Sequence, residues 1–561
     1  MRQSLMFSPD YTEVAPCVDK KGVVYTKPWV VQLLLNLAHF YPERNLVDSL
    51  LVEPSAGEGA FLVPIIERLV ESCQNQGRPL IDCKHSLIAY EVDPISAEKA
   101  RHMVRQTLLR IGSTVEISNL LALAWVRTGD YLLESINLPR ADYVVGNPPY
   151  VRSEEIPEMV AGHYRQWFPT MRGRADLYIG FYEAALRSLK PGGVCAFICA
   201  DRWMLNQYGA ELRALVTSGF SVETIIEMHE ASAFEDDVSA YPAITVLRCE
   251  SQSRTVVAKA GFEAELVGYK ALTDSIEAGR NGVEKRISGL TQTIVDSWFQ
   301  GSDPWPCSSP RRMALLRRLE DTFGLLESEK TGTKVGIGVA TGADRIFITK
   351  DLGLVEETRL VPLALAKDTI SGHLKWSGHF LVDPWNGEGL VDLCQFPKLR
   401  SYFESHQELV RNRNTAQKNP AGWYRTIDRV SHALIKKPKL YIPDIKNQLN
   451  PVLDSGETYP HHNLYFIQSD NWDLEVLGGI LLSAVGQFFV ECYGVRMRGG
   501  YLRFQAQYLR RIRLPEPSTI SASDQAELVH SFRTRDRQLA TKVALKLYQI
   551  EPAELEESLG S

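Results

Sequence analysis

Residues 49–61 read SLLVEPSAGEGAF: a short apolar run that breaks at Glu53 and Pro54 into a turn carrying Gly57 and Gly59, with a helical pattern from Leu62 to Cys73 beyond it. Apolar strand, glycine turn and helix form the opening of a strand-helix unit. The grammar repeats. SLIAYEVDP (86–94) is a second apolar run, ending in acids and followed by the helical pattern SAEKARHMVRQTLLR. ADYVVGNPPYVRS (141–153) is another, ending in an amide, two prolines and an aromatic. LYIGFYEAALRSLK then reaches the stop signal Pro191-Gly192-Gly193 before the apolar run VCAFICA, and an amphipathic stretch from Pro28 to Phe40 precedes the series. Strands alternating with helices predict a parallel sheet covered on both faces, a doubly wound α/β domain over residues 1–250.

The whole chain is longer than one core. At 561 residues, with ~100 to 200 residues per domain, two to four domains are expected. Residues 251–330 are less regular and read as a connecting region. From about Lys334 the alternation fades: KVGIGVATGADRIFITK reads as strand, turn, strand, and KPKLYIPDI and LYFIQ as further strands. Residues 331–516 are therefore expected to form a separate α+β domain, and 517–561 a charged helical tail with a solvated face. MRQSLMFSPDYTEV lacks the charged start and apolar core of a secretory signal. The most apolar later stretch, Leu474 to Val490, is interrupted by Gly478, Gly479, Gly486 and Gln487, so a cytoplasmic protein without a membrane span is expected. The nine cysteines show no CxxC pairs, which indicates neither a disulfide framework nor a zinc module, and Cys195 and Cys199 read as small core residues.

Chemistry concentrates at the strand ends. In a doubly wound fold, ligands bind at the carboxyl ends of the strands. The first turn, Glu53-Pro54-Ser55-Ala56-Gly57-Glu58-Gly59, sits there, and its glycines let backbone approach a ligand. Glu91, at the end of the next strand, suits a carboxylate accepting hydrogen bonds from both hydroxyls of a ribose. A dinucleotide site would open its first loop on a pyrophosphate, but acids here would repel phosphate and welcome a cationic nucleoside. S-adenosylmethionine, with its sulfonium and ammonium groups, is such a ligand. Asp130 suits an acceptor for the cofactor's adenine amino group, with Tyr131 beside the ring, although it reads equally as a turn aspartate. Prolines fix φ and donate no hydrogen bond. The Asn147 amide oxygen and the Pro148 carbonyl can then accept both hydrogens of one planar NH2 group, turning the nitrogen lone pair toward a sulfonium methyl, while Tyr150 offers a stacking face.

These segments resemble the gamma class of adenine-N6 DNA methyltransferases, of the Taq modification methylase type. The matching segments are Thr26-Lys27-Pro28, VEPSAGEGAF, AYEVDP, TGDYLLES, VVGNPPY and RADLYIGFYEAALRSLKPGGV, in family order, with ASAFEDDVSAYPAITVLR downstream. The resemblance implies a Rossmann-like S-adenosylmethionine-dependent methyltransferase domain followed by a target-recognition domain. It also implies that Thr26, Glu53, Pro54, Ser55, Ala56, Glu91, Asp130 and Pro149 surround the cofactor. Asn147, Pro148, Tyr150 and Phe234 would engage a flipped adenine, with Phe234 facing Tyr150 across it. No metal or covalent enzyme intermediate is required for such a transfer.

A DNA surface is expected in the second domain. Between Arg411 and Lys446 nine lysines and arginines stand against Asp428 and Asp444, with Trp423 and Tyr424 among them, in a chain of net charge -6. VRMRGGYLRFQAQYLRRIR adds six arginines from Arg496 to Arg513. Basic clusters with aromatics suit phosphate contacts. GIGVATGADRIFIT, KPKLYIPDI and the arginine-rich segment resemble the family's target-recognition domain more loosely. Rivals are RNA adenine methylation; protein-glutamine N5-methylation, to which NPPY is also suited but against which the large C-terminal domain argues; and a catalytically idle DNA-binding subunit, against which the intact Asn147, Tyr150 and cofactor loop argue. With 25 residues ahead of Thr26, no N-terminal nuclease domain is expected. The expectation is a monomeric, nucleoid-associated modification enzyme on double-stranded DNA, beside a separately encoded restriction endonuclease.

Overall fold

A computed structural model describes residues 24–236, 241–283, 285–296, 298–306, 310–387, 389–494 and 501–559. The N-terminal stretch read for a secretory signal and the arginines Arg496 and Arg498 lie outside these residues. The chain divides into two compact units, Met1–Pro310 and Arg311–Ser561.

The first unit is built on a nine-stranded sheet. Its strands are β1 (Leu51–Glu53), β2 (Leu87–Glu91), β3 (Val126–Thr128), β4 (Ala141–Gly146), β5 (Leu189–Ala200), β6 (Ser221–Glu227), β7 (Pro242–Arg248), β8 (Thr255–Ala260) and β9 (Leu290–Val295). They are ordered β3-β2-β1-β4-β5-β7-β6-β8-β9. From β3 to β5 every pairing is parallel, with Leu51 opposite both Leu87 and Tyr143. β7 runs antiparallel between β5 and β6. The central strands are buried on both faces, which is why they read as unbroken apolar runs. Strand order reverses between β1 and β4, and the crevice at that switch point is where the strand-end residues gather.

Helix starts follow local chemistry. The helix Pro94–Arg110 begins with Pro94 in its first turn, and the Asp93 side chain accepts from Ile95 and Ser96 N–H. The helix Pro28–Leu37 is buried almost all round rather than amphipathic, each fully buried Leu or Val adding ~1.5–3 kcal/mol. Its cover corrects the expected domain limits. Residues 251–295 are integral to the sheet, supplying β8, β9 and the helix Tyr269–Arg280. Thr273 on that helix accepts from Asn36 at 3.2 Å, and Glu277 pairs with His39 at 3.0 Å. β9 carries a polar run (LTQTIV) and pairs antiparallel, so the strand-helix alternation sought in the sequence is missing there.

The second unit holds two four-stranded sheets. One orders Lys334–Ile337, Leu464–Gln468, Lys439–Pro443 and Val452–Asp454; the other Ile348–Thr349, Phe380–Val382, Leu360–Ala364 and Tyr459–Pro460. The expected charged tail is helical, with Arg533, Lys542 and Lys546 exposed, but its other face is packed into the unit. Leu528, Phe532, Ala540, Val543 and Tyr548 are buried, and the helix Ala522–Thr534 lies so close on Leu474–Leu482 that a Cβ at Gly478 would stand 2.4 Å from the Phe532 ring. Among the described residues no single helix is long and apolar enough to cross a membrane; Leu474–Leu482 and Ala484–Tyr493 are bent by 68° at their junction.

Candidate active site

The turn after β1 is shaped by its glycines. Gly57 (φ +53°) and Gly59 (φ +103°) occupy left-handed backbone, which folds the chain back so that Ala56 N–H donates to the Tyr90 carbonyl at 2.8 Å. Glu91 at the end of β2 holds this turn: one carboxylate oxygen accepts from Gly57 N–H at 2.8 Å, the other from Asp93 N–H at 2.9 Å. Burial raises its pKa, and those backbone donors oppose the rise. Glu58 is ion-paired with Lys99 at 2.6 Å.

Glu53 is fully buried, and neither carboxylate oxygen has a hydrogen-bond partner among the described residues. Burial first, then the neighbouring Glu91 charge, pushes its pKa well above the carboxylate range. An acid in that state lacks a cation or a donor. Beside it, Pro54 packs against β4, where a Cβ at Gly146 would stand 3.1 Å from the Pro54 ring. The two strand-end loops are also tied directly, Ser55 Oγ donating to the Asn147 carbonyl at 2.8 Å.

The orientation of Asn147 is fixed from one side. Its NH2 group donates to the Val24 carbonyl at 3.2 Å and to Thr26 Oγ at 3.1 Å. A carbonyl only accepts, so the amide oxygen must face the other way. That oxygen, Oδ1, is buried and has no partner among the described residues. Thr26 is held by an antiparallel bridge to Phe234, flanked by Lys27 N–H to the Ala233 carbonyl and Glu235 N–H to the Tyr25 carbonyl, both at 3.0 Å. The bridge brings Phe234 to the Asn-Pro-Pro-Tyr turn. Its ring centroid lies 6.3 Å from that of Tyr150, with the planes at 84°. Pro148 is buried, Pro149 and Tyr150 half-buried, and burial drives the Tyr150 phenol pKa well up.

Thr26, Glu53, Pro54, Ser55, Ala56, Glu91, Asn147, Pro148, Pro149, Tyr150 and Phe234 thus gather along the carboxyl ends of β1, β2 and β4. Asp130 stands after β3 and is already engaged, capping the helix Tyr131–Glu134 through Leu132 N–H at 2.9 Å and accepting from the Tyr164 hydroxyl. Burial raises its pKa against those donors. Tyr131 does not stand beside a ligand: it is 2% exposed, in the core with Tyr90 and Phe181. The Val24 carbonyl and Tyr164 were not singled out from sequence, because a backbone carbonyl and a lone helical tyrosine leave no pattern to find.

The basic clusters are partly spent inside the second unit. Arg413 donates to the carbonyls of Thr341, Val410, Trp423 and Arg425. Lys439 and Asp454 form a fully buried pair at 2.7 Å. Arg503 pairs with Asp444 at 2.6 Å and Arg510 with Glu327 at 3.0 Å. Arg411, Lys418, Lys436 and Lys437 are exposed.

Solved structures place the fold. The Type IIL restriction-modification enzyme MmeI, solved in complex with DNA, matches with a TM-score of 0.56, covering 95% of this chain and 73% of that one at 13% identity. The restriction-modification enzyme LlaBIII, bound to DNA, matches with 0.51 over 92% of this chain and 39% of its own. The fold is shared with these structures: a parallel-rich sheet followed by a second unit. Sequence relatives take this further. The family Eco57I restriction-modification methylase matches residues 134–234, from just before β4 to Phe234. The Type II methyltransferase M.PaeR7I of Pseudomonas aeruginosa is 41% identical over 95% of this chain and 92% of its own length. M.XhoI of Xanthomonas vasicola is 41% identical over 96% and 98%, and M.BstVI of Geobacillus stearothermophilus 37% over 95% and 97%. The chain belongs to the Type II methyltransferases, the DNA methyltransferases of restriction-modification systems.

Proposed function

We propose that this chain methylates the N6 amino group of an adenine flipped out of double-stranded DNA, with S-adenosylmethionine as donor, and belongs to the gamma class. The observation that carries the reading is Asn147: its NH2 group is held by Val24 and Thr26, and its Oδ1 is buried without a partner among the described residues. An amide oxygen presented in this way accepts one hydrogen of a planar amino group, and the Pro148 carbonyl beside it accepts the other. Both bonds concentrate the lone pair on nitrogen. Glu53, buried without a partner among the described residues, and Glu91 suit a cationic nucleoside, and the cofactor supplies an electrophilic methyl on its sulfonium.

An adenine amino group inside a duplex cannot reach this turn, so the base must be extruded at a cost of a few kcal/mol. Stacking on an aromatic returns ~1–3 kcal/mol per base, and Tyr150 supplies the face. Phe234, edge-on to Tyr150, closes the other side once its ring turns. Positioning and water exclusion then supply most of the rate enhancement. The same reading places the chain in the cytoplasm, as a monomer that protects sites cut by a separately encoded endonuclease.

The test is transfer from tritiated S-adenosylmethionine to unmethylated duplex DNA, followed by nucleoside analysis. Label in N6-methyladenine supports the proposal; label in cytosine, RNA or protein overturns it. Sequencing DNA from an expressing host then gives the recognition site.

A further inference from the structure

The chain of the second unit passes between its two four-stranded sheets at two neighbouring corners. After Lys334–Ile337 in one sheet it runs through Thr341 and the short helix Asp344–Phe347 to Ile348–Thr349 in the other. After Tyr459–Pro460 it returns through His461 and His462 to Leu464–Gln468. The corners touch: Val339 and His461 form a bridge, and His462 N–H donates to the Val339 carbonyl at 3.0 Å.

Three ligand-type atoms meet at this junction. Asp344 Oδ2 lies 3.2 Å from His461 Nε2, His462 Nδ1 lies 3.0 Å from the same nitrogen, and all three fall within 4.8 Å of one another. We infer that this corner is a binding site for a zinc-class divalent cation that staples the two sheets together. With metal–ligand bonds of ~2.0–2.1 Å, tetrahedral ligands stand ~3.3 Å apart, close to the 3.2 and 3.0 Å from His461 Nε2 to its two neighbours. Two imidazole nitrogens and one carboxylate oxygen suit zinc rather than calcium or magnesium, which take oxygen ligands.

The surroundings aim the ligands. The Thr341 hydroxyl, itself buried, donates to Asp344 Oδ1 at 2.5 Å and so turns Oδ2 toward the histidines. His461 is 4% exposed, which fixes its ring beside Asp344 and His462. Two ring nitrogens facing at 3.0 Å repel unless a proton or a cation lies between them. A proton serves one such pair, whereas a metal ion serves all three atoms. Asp344 and His462 are exposed, which leaves a fourth position to solvent. This role is separate from methyl transfer and does not depend on the base methylated.

The test uses the full-length, untagged chain, stripped with a chelator, returned to buffer and titrated with Zn²⁺ by calorimetry, with metal content read by mass spectrometry. The expected result is close to one zinc per chain, with a rise in melting temperature. Since loss of an outer-shell partner alone weakens a site by 10–100-fold, His462→Ala is expected to lower affinity by at least about tenfold. His102→Ala, an exposed histidine of the first unit, is expected to leave it unchanged. Cobalt(II) in place of zinc should give the visible absorption of a tetrahedral site. Absence of saturable zinc binding, or binding equally strong in His462→Ala and His461→Gln, would overturn the assignment.

Discussion

The carboxyl edge of the first sheet and the Lys439–Asp454 pair of the second unit treat buried polar groups in opposite ways. Along the carboxyl edge of the first sheet, Glu53, Asn147 Oδ1 and the Tyr150 hydroxyl are buried with no partner among the described residues. In the second unit, Lys439 is equally buried but meets Asp454, the Ile435 and Lys437 carbonyls and a neighbouring tyrosine ring. Under the proposed function the unpartnered groups at the strand ends receive the cofactor and the base, whereas the paired lysine is scaffolding. The contrast also separates charge counted in a sequence from charge available to a ligand, since Arg413 and Lys439 belong to the first count only.

The contrast is broken most severely at Asn147. Asn147→Ala should lower methyl transfer by ~10³-fold or more, measured as label incorporated into DNA, with cofactor affinity retained, because the lost acceptor acts on the reacting nitrogen. Undiminished turnover would end its role as acceptor. Next comes Lys439→Ala, which strands the Asp454 carboxylate and should cost ~3–5 kcal/mol of stability in thermal or denaturant unfolding. If stability held and only DNA affinity fell, Lys439 would belong to the binding surface instead.

Glu53→Gln should act in two directions. Cofactor affinity should drop, by about 2–5 kcal/mol for a lost partner in a buried charged contact, as read by calorimetry. The unliganded first unit should become more stable near neutral pH. The sign follows from linkage: a carboxyl whose folded pKa lies above its unfolded value of ~4.3 costs stability once pH rises past that value. For the same reason a cationic ligand should draw off the Glu53 proton, so that wild-type affinity rises with pH through the raised pKa, a slope the glutamine variant should lack. The smallest effect is expected at Lys418→Ala, where one exposed cation is lost: the salt dependence of DNA binding should become shallower by about one unit of slope, with stability unchanged. An unaltered slope would remove Lys418 from the phosphate contacts.

Much of the first sheet was legible because β1, β2 and β4 end in abrupt punctuation: Pro54 with the glycines, Asp93-Pro94, and Pro148-Pro149. β8 and β9 were not, since an antiparallel addition with a polar strand breaks the alternation. In the second unit the strands read in KVGIGVATGADRIFITK, KPKLYIPDI and LYFIQ are present as Lys334–Ile337, Ile348–Thr349, Lys439–Pro443 and Leu464–Gln468. Phe380–Val382, Val452–Asp454 and Tyr459–Pro460, of two or three residues, are too short for periodicity to declare them. At the site, Asn147 and Tyr150 stand together in the sequence, whereas Phe234 came only from the family resemblance. Asp130 and Tyr131 were read as one feature, but a helix begins between them. The capping acid stays at the strand end while the next residue turns into the core. His461 and His462 adjoin in the sequence without marking a site, because Asp344, the third member of the cluster, comes from a different corner of the fold.

The strap from Val24 to Lys27 does more than cover the sheet. It holds the Asn147 amide on one side and Phe234 on the other, so the two residues proposed to meet the base are set by a single stretch of backbone. A protease cutting beside this stretch would leave the nine-stranded sheet standing and take away the aim of its chemistry, so trimmed protein would pass every check of folding and fail only when asked to work.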